Sequence, residues 1–481
     1  MAELKPNFKL LLPQTLCPNG GIEITCSRLQ DFHPDSLARN TPFLRHLLEA
    51  RGFLEKARAS SKPQREIKDG LNQWPDLPEL TQGFNIKKSD PASKRVDRLL
   101  DVVDLPREMS ASTINNTGFN GNVETIIQKT FEAIFQHQPF KSAEAAWLGL
   151  NLLLQKKTGH EQVKVNIASA SRDTLQETLN RLLPEMIDNP PTLIVVDLPF
   201  SNSARDLELI KAVATFSETL LAPLLLWITP DFFHLKTWND LNKRPYLPHF
   251  LETAPYAKWR SLKQTDMAKW LMVTCNCFIM RYPYGLRNKP SLFHFEETGL
   301  PWLAPVWAIA DLIVQSHLKT GWPTRFTDWQ RFRVEGLALR SGSRGRYPTE
   351  TIFSMDRADQ LIRSGITPLI GIANKDFVCT PTETSLGGIS IGDQIYLSII
   401  IDYILKLHES GQINSKDDML ENDIRKSLIH FLGASLEPAA DAIYVSAGPV
   451  DSNGRIPVAI RILPEGTIPP LGHPIELTFC W

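Results

Sequence analysis

The chain has 481 residues, 42% hydrophobic and 22% charged, a balance that suits packed domains and excludes a disordered or fibrous chain. Lysine and arginine number 52 against 53 acidic residues, so no excess charge pulls the protein toward nucleic acid or an anionic membrane surface. Six scattered cysteines (Cys17, Cys26, Cys275, Cys277, Cys379 and Cys480) make no disulfide framework and predict reduced thiols in the cytosol.

The opening stretch, MAELKPNFKLLLPQTL, has a short apolar run broken by Pro13, and no export signal is expected. Residues 21–25 read as a strand. Pro34, Asp35 and Ser36 then open a helix that carries Leu37, Phe43, Leu44, Leu47, Leu48 and Leu54 on one face. Such a face is too apolar for a solvated arm, so Leu44, Leu47 and Leu48 are candidate partner-binding residues, on the same or a neighbouring subunit. Residues 60–117, rich in Pro, Lys, Asp, Ser and Asn, read as a connector with one helix near 96–103.

Helical period resumes at Val123 with Ile126, Ile127, Phe131, Ile134 and Phe135; Pro139 breaks it, and a second helix runs through Trp147 to residue 154. Val163, Val165 and Ile167 alternate as a strand. A helix through Leu175, Leu179 and Leu182, a continuous apolar strand at 193–196, a helix over 207–220 and a strand at 224–228 follow. This order predicts an α/β fold, with mixed sheets flanked by helices and at least partly parallel pairing. The 220–228 window contains Pro223 and falls far short of the roughly 20 residues that span a bilayer.

Residues 271–280, 304–314 and 395–407 add further strand and helix signals. The tail is extended β: Ile456, Val458 and Ile460 alternate in one run, Pro464 and Gly466 break it, and Ile475, Leu477 and Phe479 alternate in a second. Two strands with one apolar face are marginal alone and need cover. A neighbouring subunit would supply it, or the helix carrying Leu420, Ile424, Leu428 and Phe431.

Chemical motifs are sparse. Residues 388–392 match G-x-S-x-G, but a nucleophile elbow needs a buried strand before the serine, and 379–385 is polar and turn-like. Ser390 therefore reads as part of a helix-entry loop; a serine hydrolase would have to use it with His408 or His430 as base. Cys275 and Cys277 would share one face of a strand, and no further ligand completes a zinc spacing. Walker A, dinucleotide and H-E-x-x-H motifs are absent from the sequence, so no cofactor and no metal site is expected. The tryptophans are spread over core-like segments, which favours packing over base stacking.

Several short segments, in order, carry a resemblance. The helix with Glu144, Trp147, Gly149 and Leu150, the stretch Trp259-Arg260-Ser261-Leu262 with Asp266, and Arg281-Tyr282-Pro283-Tyr284-Gly285 come first. Trp302, Trp307-Ala308, Gly321-Trp322, Val334 to Leu337, Pro348-Thr349-Glu350, Asp356-Arg357 and Gly365 to Leu369 follow. Together these resemble the contractile sheath large subunit of type VI secretion systems, and Pro438 to Val445 is similar to the segment before that family's last strands. Phe32-His33-Pro34-Asp35-Ser36-Leu37 with its leucine-rich helix resembles the sheath small subunit. Gln330-Arg331-Phe332 and Leu303-Ala304 depart from the family's glycines.

The resemblance implies a sheath-protein-like fold divided as 1–58 (small-subunit-like), 59–118 (extended connector), 119–410 (large-subunit-like core) and 411–481 (helix plus strands for intersubunit contact). It implies a cytoplasmic structural subunit that assembles helically around an inner tube and drives its ejection, and no enzyme. A sheath-related cap or baseplate protein that does not contract is the alternative. Implied partners are further copies of the chain, a sheath small subunit, an inner tube protein, a baseplate and a recycling AAA+ ATPase, with no nucleic acid and no membrane insertion. Ile456, Val458, Ile460, Ile475, Leu477 and Phe479 would provide exchanged intersubunit strands.

Overall fold

The computed structural model describes residues 5–78, 118–155, 163–342, 344–411, 413, 419–433, 442–450, 455–463 and 474–481. The helix expected near 96–103 lies outside them. The chain divides into two compact units, Met1–Trp147 with Tyr282–Pro301, and Leu148–Arg281 with Trp302–Trp481.

The first unit begins with an antiparallel pair, β1 (Asn7–Leu11) and β2 (Gly21–Thr25), in which Phe8 faces Ile24 and Leu10 faces Ile22. Period-2 geometry turns these four side chains inward and leaves Lys9 and Glu23 exposed. The expected leucine helix is two helices, α1 (Pro34–Asn40) and α2 (Pro42–Ala59). Pro42 has no N–H to continue the first, and its fixed φ suits the start of the second. After α3 (Gln64–Leu71) come α4 (Gly118–Gln136) and α5 (Gln138–Gln155), the latter with Pro139 in its first turn. The core is aromatic at its centre: the Phe140 ring lies 5.4 Å from Phe8, 5.2 Å from Phe32 and 5.4 Å from Phe135.

The second unit is built on four parallel strands: β3 (Ile194–Phe200), β4 (Leu224–Ile228), β5 (Leu271–Cys275) and β6 (Ile366–Pro368), in the order β6-β5-β4-β3. β4 and β5 read as unbroken apolar runs because Leu224, Leu225, Leu226, Leu271, Met272 and Val273 are all buried, which requires cover on both faces. Ile210 and Val213 of α7 (Ala204–Leu220) share a cluster with Leu224, Leu226 and Val273, joined by α6 (Leu175–Ile187) and α9 (Met355–Arg363), while α8 (Pro305–Thr320) packs on β3, β4 and β5.

Two expectations are corrected here. Residues 163–170 form no strand, and Ile167 is 45% exposed. Alternation defines two faces, but a strand also needs a ladder partner, and this segment has none among the described residues. The apolar run from 271 is also broken. Asn276 takes φ of +79°, and its side chain donates to the carbonyls of Thr351 (3.0 Å) and Leu369 (2.8 Å) while accepting from the Thr351 N–H. Cys277 therefore does not share a strand face with Cys275.

The unit ends in α10 (Ile391–Glu409), α11 (Leu420–Gly433) and an antiparallel sheet of β7 (Ile443–Ala447), β8 (Pro457–Ile462) and β9 (Ile475–Cys480), with β8 central. Among the described residues no helix is long and apolar enough to cross a membrane.

Candidate assembly interface

The terminal sheet presents one apolar face to its own helices. Val458, Ile460 and Ile462 are buried with Ile400, Ile404 and Leu407 of α10 and Ile424 and Leu428 of α11. Ile475 is buried on the same face, and Ile456, Leu477 and Phe479 lie partly buried against the same cluster. Burying one such aliphatic side chain stabilises by about 1.5–3 kcal/mol, so this face holds the sheet to the unit. The helix carrying Leu420 and α10 cover this face within the chain, and β7 adds a third strand.

What the sheet leaves open is its backbone edge. Ile456 and Trp481 exchange N–H···O bonds of 3.1 and 2.7 Å, which fixes the phase of the β8–β9 ladder. In an antiparallel pair hydrogen-bonded and non-hydrogen-bonded positions alternate, so Glu476, Thr478 and Cys480 direct their N–H and C=O groups away from β8. Among the described residues no strand pairs with that edge. The outer face beside it is polar, with Arg461 and Glu476 paired at 3.2 Å.

Leu44 and Leu47 of α2 are fully buried, and Leu48 half-buried, in the first unit's own core. The polar side of the same region holds residues 291–292. Asp35 accepts from the Ser291 N–H (2.9 Å), the Ser291 hydroxyl (2.7 Å) and the Leu292 N–H (3.0 Å), and Arg51 donates to the Leu292 carbonyl at 2.9 Å. Burial works to raise the Asp35 carboxyl, but the Ser291 and Leu292 donors and nearby His33 outweigh it and hold the group below its ordinary value. A lowered folded value contributes stability above the ordinary Asp value of about 3.9 and loses it as pH falls through the folded one. Asp35→Asn is accordingly expected to lower the melting temperature at neutral pH and to bring it toward wild type in acid. A difference that stays constant across the pH series would refute this account.

Ser390 is a helix cap. Its hydroxyl accepts from the Asp393 N–H at 3.1 Å and donates to Glu383 at 2.6 Å, while Glu383 also accepts from the Ile391 and Gly392 N–H groups at 2.8 and 3.2 Å. Two side chains, one of them invisible to motif reading, thus satisfy the open end of α10. Burial pushes the Glu383 carboxyl up, against these three donors. His408 lies in the last turn of the same helix, about 27 Å along at 1.5 Å per residue, with its ring on Trp481. His430 is in the last turn of α11. Ser390→Ala should cost about 1 kcal/mol of stability, read from the urea midpoint, as expected for loss of an N-cap. Labelling of Ser390 by a fluorophosphonate would contradict the cap assignment.

The Cys275 and Cys277 thiols are buried, and burial, followed by the Glu350 carboxyl, pushes both well up, which keeps them protonated and poor as ligands or nucleophiles. Among the described residues no group of three or more His, Cys, Asp or Glu is placed to hold a metal.

The segments that carried the resemblance are packing devices. A Cβ on Gly149 would lie 2.3 Å from the Trp307 ring, whose Nε1 donates to Asp197 at 2.7 Å. Gly365 has φ of +83°, with the Leu386 carbonyl 2.8 Å from where its Cβ would be. Trp259 packs edge-on against Phe232 at 4.8 Å, and Arg260 bonds the carbonyls of Leu251 and Thr253. Glu350 accepts from the Cys277 N–H at 2.8 Å. Phe332, one of the departures, is itself a core residue with Lys319 over its ring at 5.4 Å.

The family model of the EvpB/VC_A0108 tail sheath N-terminal domain matches residues 121–189 and 185–386. That of VipA (type VI secretion system, VC_A0107 or Hcp2) matches residues 1–82. The type VI secretion system sheath protein TssC1 of Pseudomonas aeruginosa is 27% identical over 277 residues, 51% of this chain and 56% of that protein. The chain thus spans little more than half the length of this curated relative. Among solved structures, a chain of the anti-feeding prophage baseplate is 12% identical with a TM-score of 0.40, covering 70% of this chain and 80% of that one. The sheath tail protein Lin1278 of Listeria innocua is also 12% identical, with a TM-score of 0.35 over 66% of this chain and 61% of that one. Because the tail sheath model spans more than half of the sequence, and the described packing of Gly149, Trp259, Trp307, Glu350 and Gly365 falls within the matched stretch, the chain belongs to the EvpB/VC_A0108 tail sheath family.

Proposed function

We propose that the protein is a structural subunit of a contractile, tail-like sheath, in which copies assemble helically around an inner tube and a change from extended to contracted packing drives the tube outward. One observation carries the reading. In a chain of the tail sheath family, the terminal sheet buries its apolar face internally, yet among the described residues no strand pairs with the β9 edge. Strand addition at such an edge satisfies backbone groups while rigid bodies turn about the junction. A head-to-tail contact that does not close builds a filament.

In this reading Ile456, Val458, Ile460, Ile475, Leu477 and Phe479 serve the junction from behind, by seating the sheet on its helices. Leu44, Leu47 and Leu48 serve by holding the first unit together. Residues 411–481 form the joining region, 119–410 the sheath core, 59–118 the connector and 1–58 the small-subunit-like segment. The proposed partners are further copies of the chain, an inner tube protein, a baseplate and a recycling AAA+ ATPase, in the cytoplasm of the cell that builds the machine. No bond-making role falls to any side chain.

Electron microscopy of the purified full-length protein, alone and with an inner tube protein, tests this. Tubules that shorten on triggering are expected. Monomers or closed rings alone would overturn the reading, and tubules of fixed length would favour the non-contracting cap or baseplate alternative.

A further inference from the structure

The two family models match separate stretches, yet those stretches share one core. Phe8, Phe32, Leu44 and Leu47, within the VipA-matched stretch, cluster with Phe140 and Phe293 of the tail sheath match. The junction is built like an interface between two chains. At its centre Phe140 is 0% exposed between Phe8 and Phe32, and Trp147 lies 5.9 Å from Phe32. At its rim the carboxylate of Asp35 and the guanidinium of Arg51 bond the backbone at 291–292. An apolar aromatic centre with charge-assisted bonds around it is the anatomy of a docking site.

We infer that the surface made by residues 123–147 and 284–295 is a docking face for a VipA-type segment, and that this chain fills it in cis with its own residues 5–78. Covalent connection gives the resident segment a large effective concentration at that face. A separate VipA-family chain meets a site already occupied, so the protein does not take one up there. The inference rests on family membership and the shared core, not on polymerisation.

The test uses the full-length protein with one protease recognition sequence inserted between residues 82 and 121, cut after folding. The two pieces are expected to co-elute from a native sizing column and to part only in denaturant. Asp35→Ala in the cut protein should speed release of the N-terminal piece roughly tenfold or more, as befits loss of bonds to a charged group. A tagged, separately expressed VipA-family chain should not be retained by the uncut protein. Loss of the N-terminal piece on the native column, release unaffected by Asp35→Ala, or uptake of the tagged chain by uncut protein would each overturn the inference. Tubule formation enters none of these readouts, so their failure leaves the sheath reading standing.

Discussion

Phe140→Ala is expected to destabilise the first unit by about 3–5 kcal/mol, the usual cost of truncating a fully buried phenylalanine. The side chain is completely buried and its ring touches three others, from β1, from the turn before α1 and from α4. Collapse of the walls would relieve little, because Phe8, Phe32 and Phe135 are held by separate elements that cannot all close on one void. Domains are stable by only about 5–15 kcal/mol, so the loss is a large share of the whole. Hydrogen exchange should show it first, as faster exchange of the β1, α1 and α2 amides. Phe140→Leu, which keeps most of the apolar volume, should recover most of the protection. An alanine variant within about 1 kcal/mol of wild type would mean that the aromatic cluster does not organise this unit.

Thr478→Pro is expected to abolish tubules while leaving the fold intact. The phase set by the Ile456–Trp481 bonds places the Thr478 N–H on the outer side of β9, so proline there removes no bond to β8. Its side chain is exposed, and edge strands tolerate proline. An added strand would lose a ladder bond and meet the ring. The matched control is Leu477→Pro, one residue earlier, where the N–H points toward β8 and folding itself should fail. Normal tubules from a folded Thr478→Pro protein would sink the proposal that this edge joins subunits. Deleting residues 456–481 is a poorer test, because it would strip the cover from Ile400, Ile404 and Ile424 and unfold the end of the chain.

Local pattern made some of this legible and not the rest. The parallel strands at 224–228 and 271–275 were readable because strands buried on both faces are continuously apolar, whereas of the edge strand 194–200 only the apolar start was readable, since Asp197 and Pro199 interrupt it and most of it is only partly buried. The phase of the tail was readable too, since Val458 and Ile460 differ so plainly from Ala459 and Arg461. Its cover was not, because an apolar face in sequence does not name what lies upon it. The same gap holds for α2, whose apolar face does not name its own partner; in the structure Leu44, Leu47 and Leu54 share a core with β1, β2 and α4. Residues 163–167 show the converse failure, alternation without a ladder partner among the described residues. Asn276 was beyond reach: its turn depends on bonds to Thr351 and Leu369, which only the folded chain brings near. The polar flank of Ser390 pointed to a helix entry, which the structure has there, but Glu383, the carboxylate that shares the cap, carried no signal of its own.

The alternating outward groups of β9 have a geometric consequence. A strand seated against Glu476, Thr478 and Cys480 can keep its bonds only if it shifts by whole two-residue steps, since a one-residue shift turns every side chain to the other face. At 3.2–3.4 Å per residue each step is about 6.6 Å. Such an edge works like the teeth of a rack: neighbours seated on it can rotate about the junction, but cannot creep along it by fractions of a tooth.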